Sequence, residues 1–138
     1  MEVFIEKADE TQFNEYRGES LYEFMQDLAG IGWPAPRALS HGLNFLNPQT
    51  CYAIYSEEVG CVGYIDFQDL PDVIILQYLI IKPKHRRKGY GEAALKAMQS
   101  SVQRSGRKLQ SFYYNHNKAS RVLHEKLGFA PIGSVVQF

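Results

Sequence analysis

Residues 85–98 read HRRKGYGEAALKAM and follow directly on the apolar run VIILQYLIIKP. His85, Arg86, Arg87 and Lys88 thus crowd against Gly89 and Gly91, where an apolar strand gives way to an alanine-rich helix. A helix start offers unpaired backbone N–H groups and the positive end of the helix dipole, so it attracts anions. Glycines there let the backbone turn freely and let a ligand approach with no Cβ in the way. Charge-assisted hydrogen bonds contribute roughly 1.5–3 kcal/mol each, so several N–H groups can hold a pyrophosphate. Other phosphate loops fit less well. No Gly-Lys-Ser/Thr is present, which excludes an NTPase loop. Gly89, Gly91 and Ala94 imitate a dinucleotide fingerprint, but that motif opens the first βαβ unit, and this one comes late, after a hairpin. A solvated basic loop or a nucleic-acid patch is the competing reading.

The whole-chain charge argues against the patch. Fifteen Lys and Arg balance fifteen Asp and Glu, giving zero formal net charge. General nucleic-acid or membrane-surface binders show a broad basic excess. The length of 138 residues fits one domain, 1–138, and the 45% hydrophobic content suits one buried core. No run approaches the roughly 20 apolar residues that span a bilayer. The start MEVFIEKADE lacks the pattern of a signal peptide. A soluble, cytoplasmic protein is expected, with no membrane or nucleic-acid partner. Two cysteines are too few for a disulfide scaffold. A hairpin turning at Glu57-Glu58 would set Cys51 opposite Tyr64 and Cys61 opposite Ile54, leaving two separate thiols.

The loop needs a strand before it and a helix after it, and the chain supplies both. EVFIEKA reads as a first strand. Phe13, Tyr16, Leu21, Phe24, Met25 and Leu28 recur near helical spacing up to Gly30. Gly and Pro residues then break regular structure, although Pro36 to Leu46 could form a second helix. CYAIYSEEVGCVGYIDF reads as a hairpin. VIILQYLII suits a central strand covered on both faces, ended by Pro83. A helix from near Gly91 carries Ala94, Leu95, Met98 and Val102 on one side and stops around Gly106. KLQSFYY is a strand, Asn117 to Leu127 a helix closed by Gly128, and APIGSVVQF a last strand. The order is β-α-α-β-β-β-α-β-α-β.

In this setting the chain resembles the GNAT-type N-acetyltransferases, which use acetyl-coenzyme A. Their signature is Arg or Gln, two residues, Gly, one residue, then Gly or Ala, and Arg86-Arg87-Lys88-Gly89-Tyr90-Gly91 matches it. YLIIKP resembles the family's strand end, and NKASRVLHEKLGF its closing Gly-Phe helix. The resemblance covers about Cys51 to Phe129. It implies an α/β (α+β) fold with a mixed, mostly antiparallel sheet flanked by helices on both faces. It implies acetyl transfer from acetyl-coenzyme A to a primary amine, on a small molecule or a peptide, with no metal. Arg87, Lys88, Gly89, Tyr90 and Gly91 would give backbone N–H groups to the pyrophosphate, with Arg86 beside it. The pantetheine arm would lie like an added strand on backbone groups of Leu79 and Ile81. An N–H near Leu79 or Ile80 would steady the oxyanion.

Departures from the family pattern concern the proton chemistry. A lysine-like amine, with a pKa of about 10.4, must lose a proton before it attacks. The leaving sulfur resembles a thiol of pKa about 8.5 and needs a donor only moderately. Where the family carries Tyr, four residues before the Gly of Gly-Phe, this chain has His124. Helical spacing groups Asn117, Ser120 and His124, with Ala119, Val122, Leu123 and Leu127 as apolar sides, so that face is expected to meet the cofactor. A mostly neutral histidine there could donate one N–H or act as base, or it could merely contact the cofactor as a partly exposed residue. No general base declares itself. The family's acidic strand position is Ile75 here, and Glu57, Asp66, Asp69 and Asp72 read as solvated residues at strand ends. Tyr113, Tyr114 and His116 are further candidates, and Trp33 and His41 could wall the acceptor site. A final strand IGSVVQF would leave an apolar edge, from which a homodimer through that strand is expected. The competing class of function is an acyl-coenzyme A-binding sensor with weak or no catalysis.

Overall fold

A computed structural model describes residues 1–18, 47–111, 118–132 and 135–137. The second helix expected at Pro36–Leu46 lies outside these residues, as do Trp33, His41, Tyr113, Tyr114, His116 and Asn117.

Strand β1 (Phe4–Lys7) leads into helix α1, residues 10–18. A reciprocal box caps this helix: Asp9 Oδ1 accepts from the Gln12 N–H at 2.8 Å, and Gln12 Oε1 accepts from the Asp9 N–H at 3.0 Å. A short 3₁₀ turn at Pro48–Thr50 then delivers the chain to β2 (Cys51–Ser56), β3 (Gly60–Asp69) and β4 (Val73–Ile81). Helix α2 (Tyr90–Ser105), β5 (Lys108–Ser111), α3 (Lys118–Lys126), β6 (Ala130–Ile132) and β7 (Val135–Gln137) follow. The strands form one sheet in the order β1-β2-β3-β4-β5-β7-β6. Among the described residues only β4 and β5 run parallel; the other pairings are antiparallel.

Both faces are covered, as the apolar run of β4 requires. On one face Ala94, Leu95, Met98 and Val102 of α2 pack on Ile54, Ile65, Ile74 and Leu109, joined by Leu123, Leu127 and Phe129. On the other, Phe13 and Tyr16 of α1 cover Cys51, Ala53, Tyr64 and Ile80. Left-handed glycines end α2 and α3, at Gly106 (φ 70°) and Gly128 (φ 85°), a backbone conformation that glycine adopts without strain.

Two irregularities shape the middle of the sheet. The β3–β4 register passes from Asp66↔Tyr78 to Phe67↔Leu76, so Gln77 is an extra residue on β4. This bulge turns the strand over: Ile74 and Leu76 before it, and Leu79 and Ile81 after it, all join the core under α2. The β2–β3 register passes from Ile54↔Gly63 to Tyr55↔Cys61, leaving Val62 extra. That slip, with a turn reaching Gly60, corrects the cysteine registers: Cys51 faces Asp66, and Cys61 faces Tyr55. Both thiols are free.

At the C-terminus the single strand expected from APIGSVVQF is two. β7 enters between β5 and β6, so Val135–Gln137 is paired on both sides and the outer strand is the three-residue β6. Pro131 in β6 lacks an N–H, which makes it a poor template for another chain. The long apolar edge that suggested self-pairing is thereby removed.

Gly63 permits the close approach of β3 to β4. A Cβ there would lie 2.3 Å from the Ile80 carbonyl oxygen and 2.9 Å from the Ile81 Cα, both rigid backbone. Gly63→Ala is expected to cost at least about 2 kcal/mol in urea unfolding through this overlap. An unchanged midpoint would show that the two strands are free to separate.

Candidate active site

The site begins at the unshared edge of β4. Pairing with β5 runs only over Val73↔Lys108, Ile74↔Leu109 and Ile75↔Gln110. Beyond Ile75, no strand among the described residues covers that edge. Which residues face it follows from one hydrogen bond, the Lys82 N–H to the Val62 carbonyl at 2.9 Å. In an antiparallel pair the bonded residues alternate. Ile80 therefore turns its backbone to Tyr64 on β3, while Leu79 and Ile81 direct theirs to the unshared edge. The Ile81 carbonyl confirms the direction, because it accepts from Arg86 Nε on that side at 2.8 Å.

This edge runs directly into the basic loop. Pro83–His85 forms a 3₁₀ turn, and Arg87 (φ 62°) and Gly89 (φ 90°) both adopt left-handed backbone before α2 starts at Tyr90. Gly89 is the N-cap and makes no side-chain cap, so among the described residues the first-turn N–H groups lack the usual capping partner. For Gly89 the backbone angle is the requirement, since a Cβ would meet only Met1 Sδ at 3.8 Å. Gly91 carries no such requirement: a Cβ there would make only ordinary contacts, with Leu79 Cδ2 at 3.7 Å and Ile81 Cγ1 at 3.8 Å, which places it beside both residues. Leu79, Ile81, Arg86, Gly89 and Gly91 are thus brought together on one continuous surface. Tyr90 instead buries its ring in the core, and Arg87 and Lys88 are exposed.

His124 sits differently from the helical-face reading. It is buried (5% exposed), while Ala119 and Val122, expected as apolar sides, are exposed. The inward stripe of α3 is Ser120, Leu123, His124 and Leu127. His124 Nδ1 lies 2.7 Å from the Ser120 carbonyl, which can only accept, so Nδ1 carries the proton. Nε2, 2.8 Å from Ser111 Oγ at the end of β5, then accepts the serine's hydrogen bond. Burial lowers the imidazole pKa and keeps the ring neutral, against the Ser120 carbonyl's opposing pull. Phe129 closes over it edge-on at 4.9 Å. Both ring nitrogens of His124 therefore have partners inside the fold.

The other face holds what the sequence reading understated. Glu57, Asp69 and Asp72 are exposed, as acids at strand ends usually are. Asp66 is fully buried, because β3 continues past it to Asp69. Tyr16 donates to Asp66 Oδ2 at 3.0 Å, whereas among the described residues the buried Oδ1 makes no hydrogen bond of normal geometry, Thr50 lying near enough only to ease the charge. Burial pushes the carboxyl pKa up to about 6, opposed by Thr50, Tyr16 and Lys7. Burial and then the Asp66 charge push the Tyr16 hydroxyl well above its ordinary range. Beside them Tyr64 donates to Glu15 at 2.9 Å, and Glu15 pairs with Lys82 at 2.5 Å. The available signal was an aspartate inside the apolar run VGYIDF; a buried acid in mid-strand calls for a reason.

Among the described residues, no group of three or more His, Cys, Asp or Glu could hold a metal ion, and no helix is long and apolar enough to cross a membrane.

The β4 edge thus flows into an uncapped helix start that carries Gly89 and Gly91. Residues 47–131, more than half of the chain, match the model of the acetyltransferase (GNAT) domain. The chain belongs to the GNAT acetyltransferase family. It is similar to YycN of Bacillus subtilis, at TM-score 0.81 and 18% identity, over 95% of this chain and 94% of that one. It is also similar to the PaiA N-acetyltransferase of Thermoplasma acidophilum in complex with coenzyme A, at TM-score 0.75 and 15% identity, over 99% and 97%. A third is the ribosomal-protein-S18-alanine N-acetyltransferase of Escherichia coli, at TM-score 0.63 and 17% identity, over 95% and 79%. At these identities the likeness is one of fold. No curated protein sequence matches the chain.

Asp66 yields a stability test. Its carboxyl holds a proton more tightly folded than unfolded, so the folded state binds more protons between about pH 4 and pH 6, and stability falls as pH rises through that window. A rise from 3.8 to about 6 amounts to about 3 kcal/mol. In urea melts, Asp66→Asn should exceed wild type in stability at pH 7.5, with the gap closing toward pH 4. A variant less stable at pH 7.5 would mean that the buried anion is better solvated than its contacts indicate.

Proposed function

We propose that the protein transfers an acetyl group from acetyl-coenzyme A to a primary amine by direct attack on the thioester. One observation carries the reading: the outward backbone of Leu79 and Ile81 leads, through Gly91, to the uncapped first turn of α2. That surface matches the two halves of coenzyme A. N–H groups of Tyr90, Gly91 and the loop before them receive the pyrophosphate, and Arg87 and Lys88 add positive charge. Arg86 reaches back to the Ile81 carbonyl and braces the junction between loop and strand. Leu79 offers N–H and C=O to the pantetheine amides as a neighbouring strand would. Of the two oxyanion donors expected from sequence, Leu79 fits and Ile80 does not, because the Ile80 N–H is turned to β3.

His124 serves this reaction as a positioning residue. Its proton is held on Nδ1 by the Ser120 carbonyl, so Nε2 has none to give the departing sulfur; it fixes Ser111 where β5 leaves β4. The leaving thiolate is a weak enough base to depart with solvent as donor. The acceptor is a small-molecule or peptide amine, and the setting is the cytoplasm. The locked His124 also favours a second reading, a sensor that binds acyl-coenzyme A and turns over weakly. Acetyl transfer to amines separates the two.

Calorimetric titration with acetyl-coenzyme A tests the loop. Wild type should bind, and Gly89→Trp, whose side chain fills the anion site, should lose at least about tenfold in affinity, or about 1.4 kcal/mol. Gly91→Ala should retain binding, since its methyl meets only ordinary contacts. Absence of wild-type binding would overturn the reading.

A further inference from the structure

The fold keeps a carboxylate where it costs stability, and the reaction lacks a proton acceptor. Asp66 is fully buried on β3; among the described residues one of its oxygens makes no hydrogen bond of normal geometry, and the other has the Tyr16 hydroxyl at 3.0 Å. An anion with so few hydrogen bonds is poorly stabilised, which makes it a willing base. Tyr78 stands directly opposite Asp66 in the β3–β4 register, so both side chains leave the sheet on the face covered by α1. Tyr78 is half-buried and immediately precedes Leu79, whose backbone faces the unshared edge. Within this cluster it is the residue adjacent in sequence to Leu79, the oxyanion donor proposed above.

We infer that Asp66 is the proton acceptor for the substrate ammonium, reached over the hydroxyls of Tyr78 and Tyr16. The assignment rests on the acetyl transfer proposed above. An ammonium N–H gives its proton to the Tyr78 oxygen as Tyr78 passes its own to Tyr16, and Tyr16 passes its own to Asp66 Oδ2. Each tyrosine gains one proton as it loses one, so no tyrosinate forms. The freed amine lone pair forms the new C–N bond, the C–S bond breaks with its electrons on sulfur, and the second N–H proton is lost to solvent, which in turn protonates the thiolate. Ammonium and thioester become amide, thiol and one proton, held on Asp66 until it returns to solvent.

The groups facing Asp66 are Tyr16 from α1, Lys7 from β1, Cys51 from β2, Tyr78 from β4 and Thr50 from the turn before β2. Burial pushes the Tyr16 and Cys51 groups up, away from neutrality, so neither competes with Asp66 for a proton there.

The test uses two amines of similar size as acceptors, with thiol release as the readout. Ethylamine is an ammonium ion at pH 7, and 2,2,2-trifluoroethylamine is largely neutral, so only the first needs a base. In Asp66→Asn and in Tyr16→Phe, kcat/KM for ethylamine at pH 7 should fall about a hundredfold, while that for trifluoroethylamine stays within about threefold. Wild type with ethylamine should also show a rising limb near pH 6 that Asp66→Asn lacks. Acetyl-coenzyme A binding by calorimetry checks that each variant is folded, and Tyr16→Phe stands alone if Asp66→Asn is not. Equal losses for both amines, or none, would overturn the assignment while leaving the transferase intact. Wild type that binds acetyl-coenzyme A yet acetylates neither amine would instead overturn the enzyme reading on which the assignment rests.

Discussion

The molecule is organised around a strand that is shared on one side and only partly on the other. β4 pairs with β3 over its length but meets β5 at three positions, in the single parallel pairing among the described residues. The bulge at Gln77 marks where its faces exchange. A backbone edge inside a sheet is a set of unused donors and acceptors, and such groups need partners. α2 begins where that edge ends, and its first turn carries the same need. One extended ligand with amides at one end and phosphates at the other can answer both. The rest of the fold holds these two sets of groups in line: Gly63 lets β3 come close, Gly89 supplies the turn, and the α2 core fixes the helix axis.

Two buried polar residues show how differently such groups can be treated. His124 is placed on the inward stripe of α3 with a carbonyl for one nitrogen and a serine hydroxyl for the other. Its neutral form is complete, and the ring behaves as a core residue with fixed orientation. Asp66 lies across the sheet with one oxygen served and one not. Satisfied polar groups specify a structure; an unsatisfied one is a reservoir of reactivity that the remaining packing must offset. That contrast underlies the positioning role proposed for His124 and the proton-accepting role proposed for Asp66.

The phosphate loop was legible because its requirements are local. A strand-ending proline, a basic run, two spaced glycines and an alanine-rich helix each leave a mark in sequence, and Gly106 and Gly128 mark helix ends for the same reason. Registers were less legible. Nothing in CYAIYSEEVGCVGYIDF announces that Val62 is extra, so both cysteines were set against the wrong neighbours. In the C-terminal run APIGSVVQF, Gly133-Ser134 is a two-residue hairpin signal, and the flanking strands of three residues each are too short to show the alternation that would support it. His124 was read from a helical wheel, which groups residues but does not say which side is inside. Asp66 looks like an acid at a strand end in sequence, yet β3 continues to Asp69, and an acid in a strand's interior is buried where one at its end is solvated.

The account rests on coenzyme A lying along the β4 edge with its pyrophosphate on α2. Amide chemical shifts of the ¹⁵N-labelled protein, followed as coenzyme A is added, test this most directly. The N–H signals of Leu79, Ile81, Tyr90 and Gly91 should move together with one dissociation constant, while that of Ile80, bonded to β3, moves least among its neighbours. Shifts confined to exposed basic residues, with Leu79 and Ile81 unmoved, would contradict it and reduce the loop to a site for any anion.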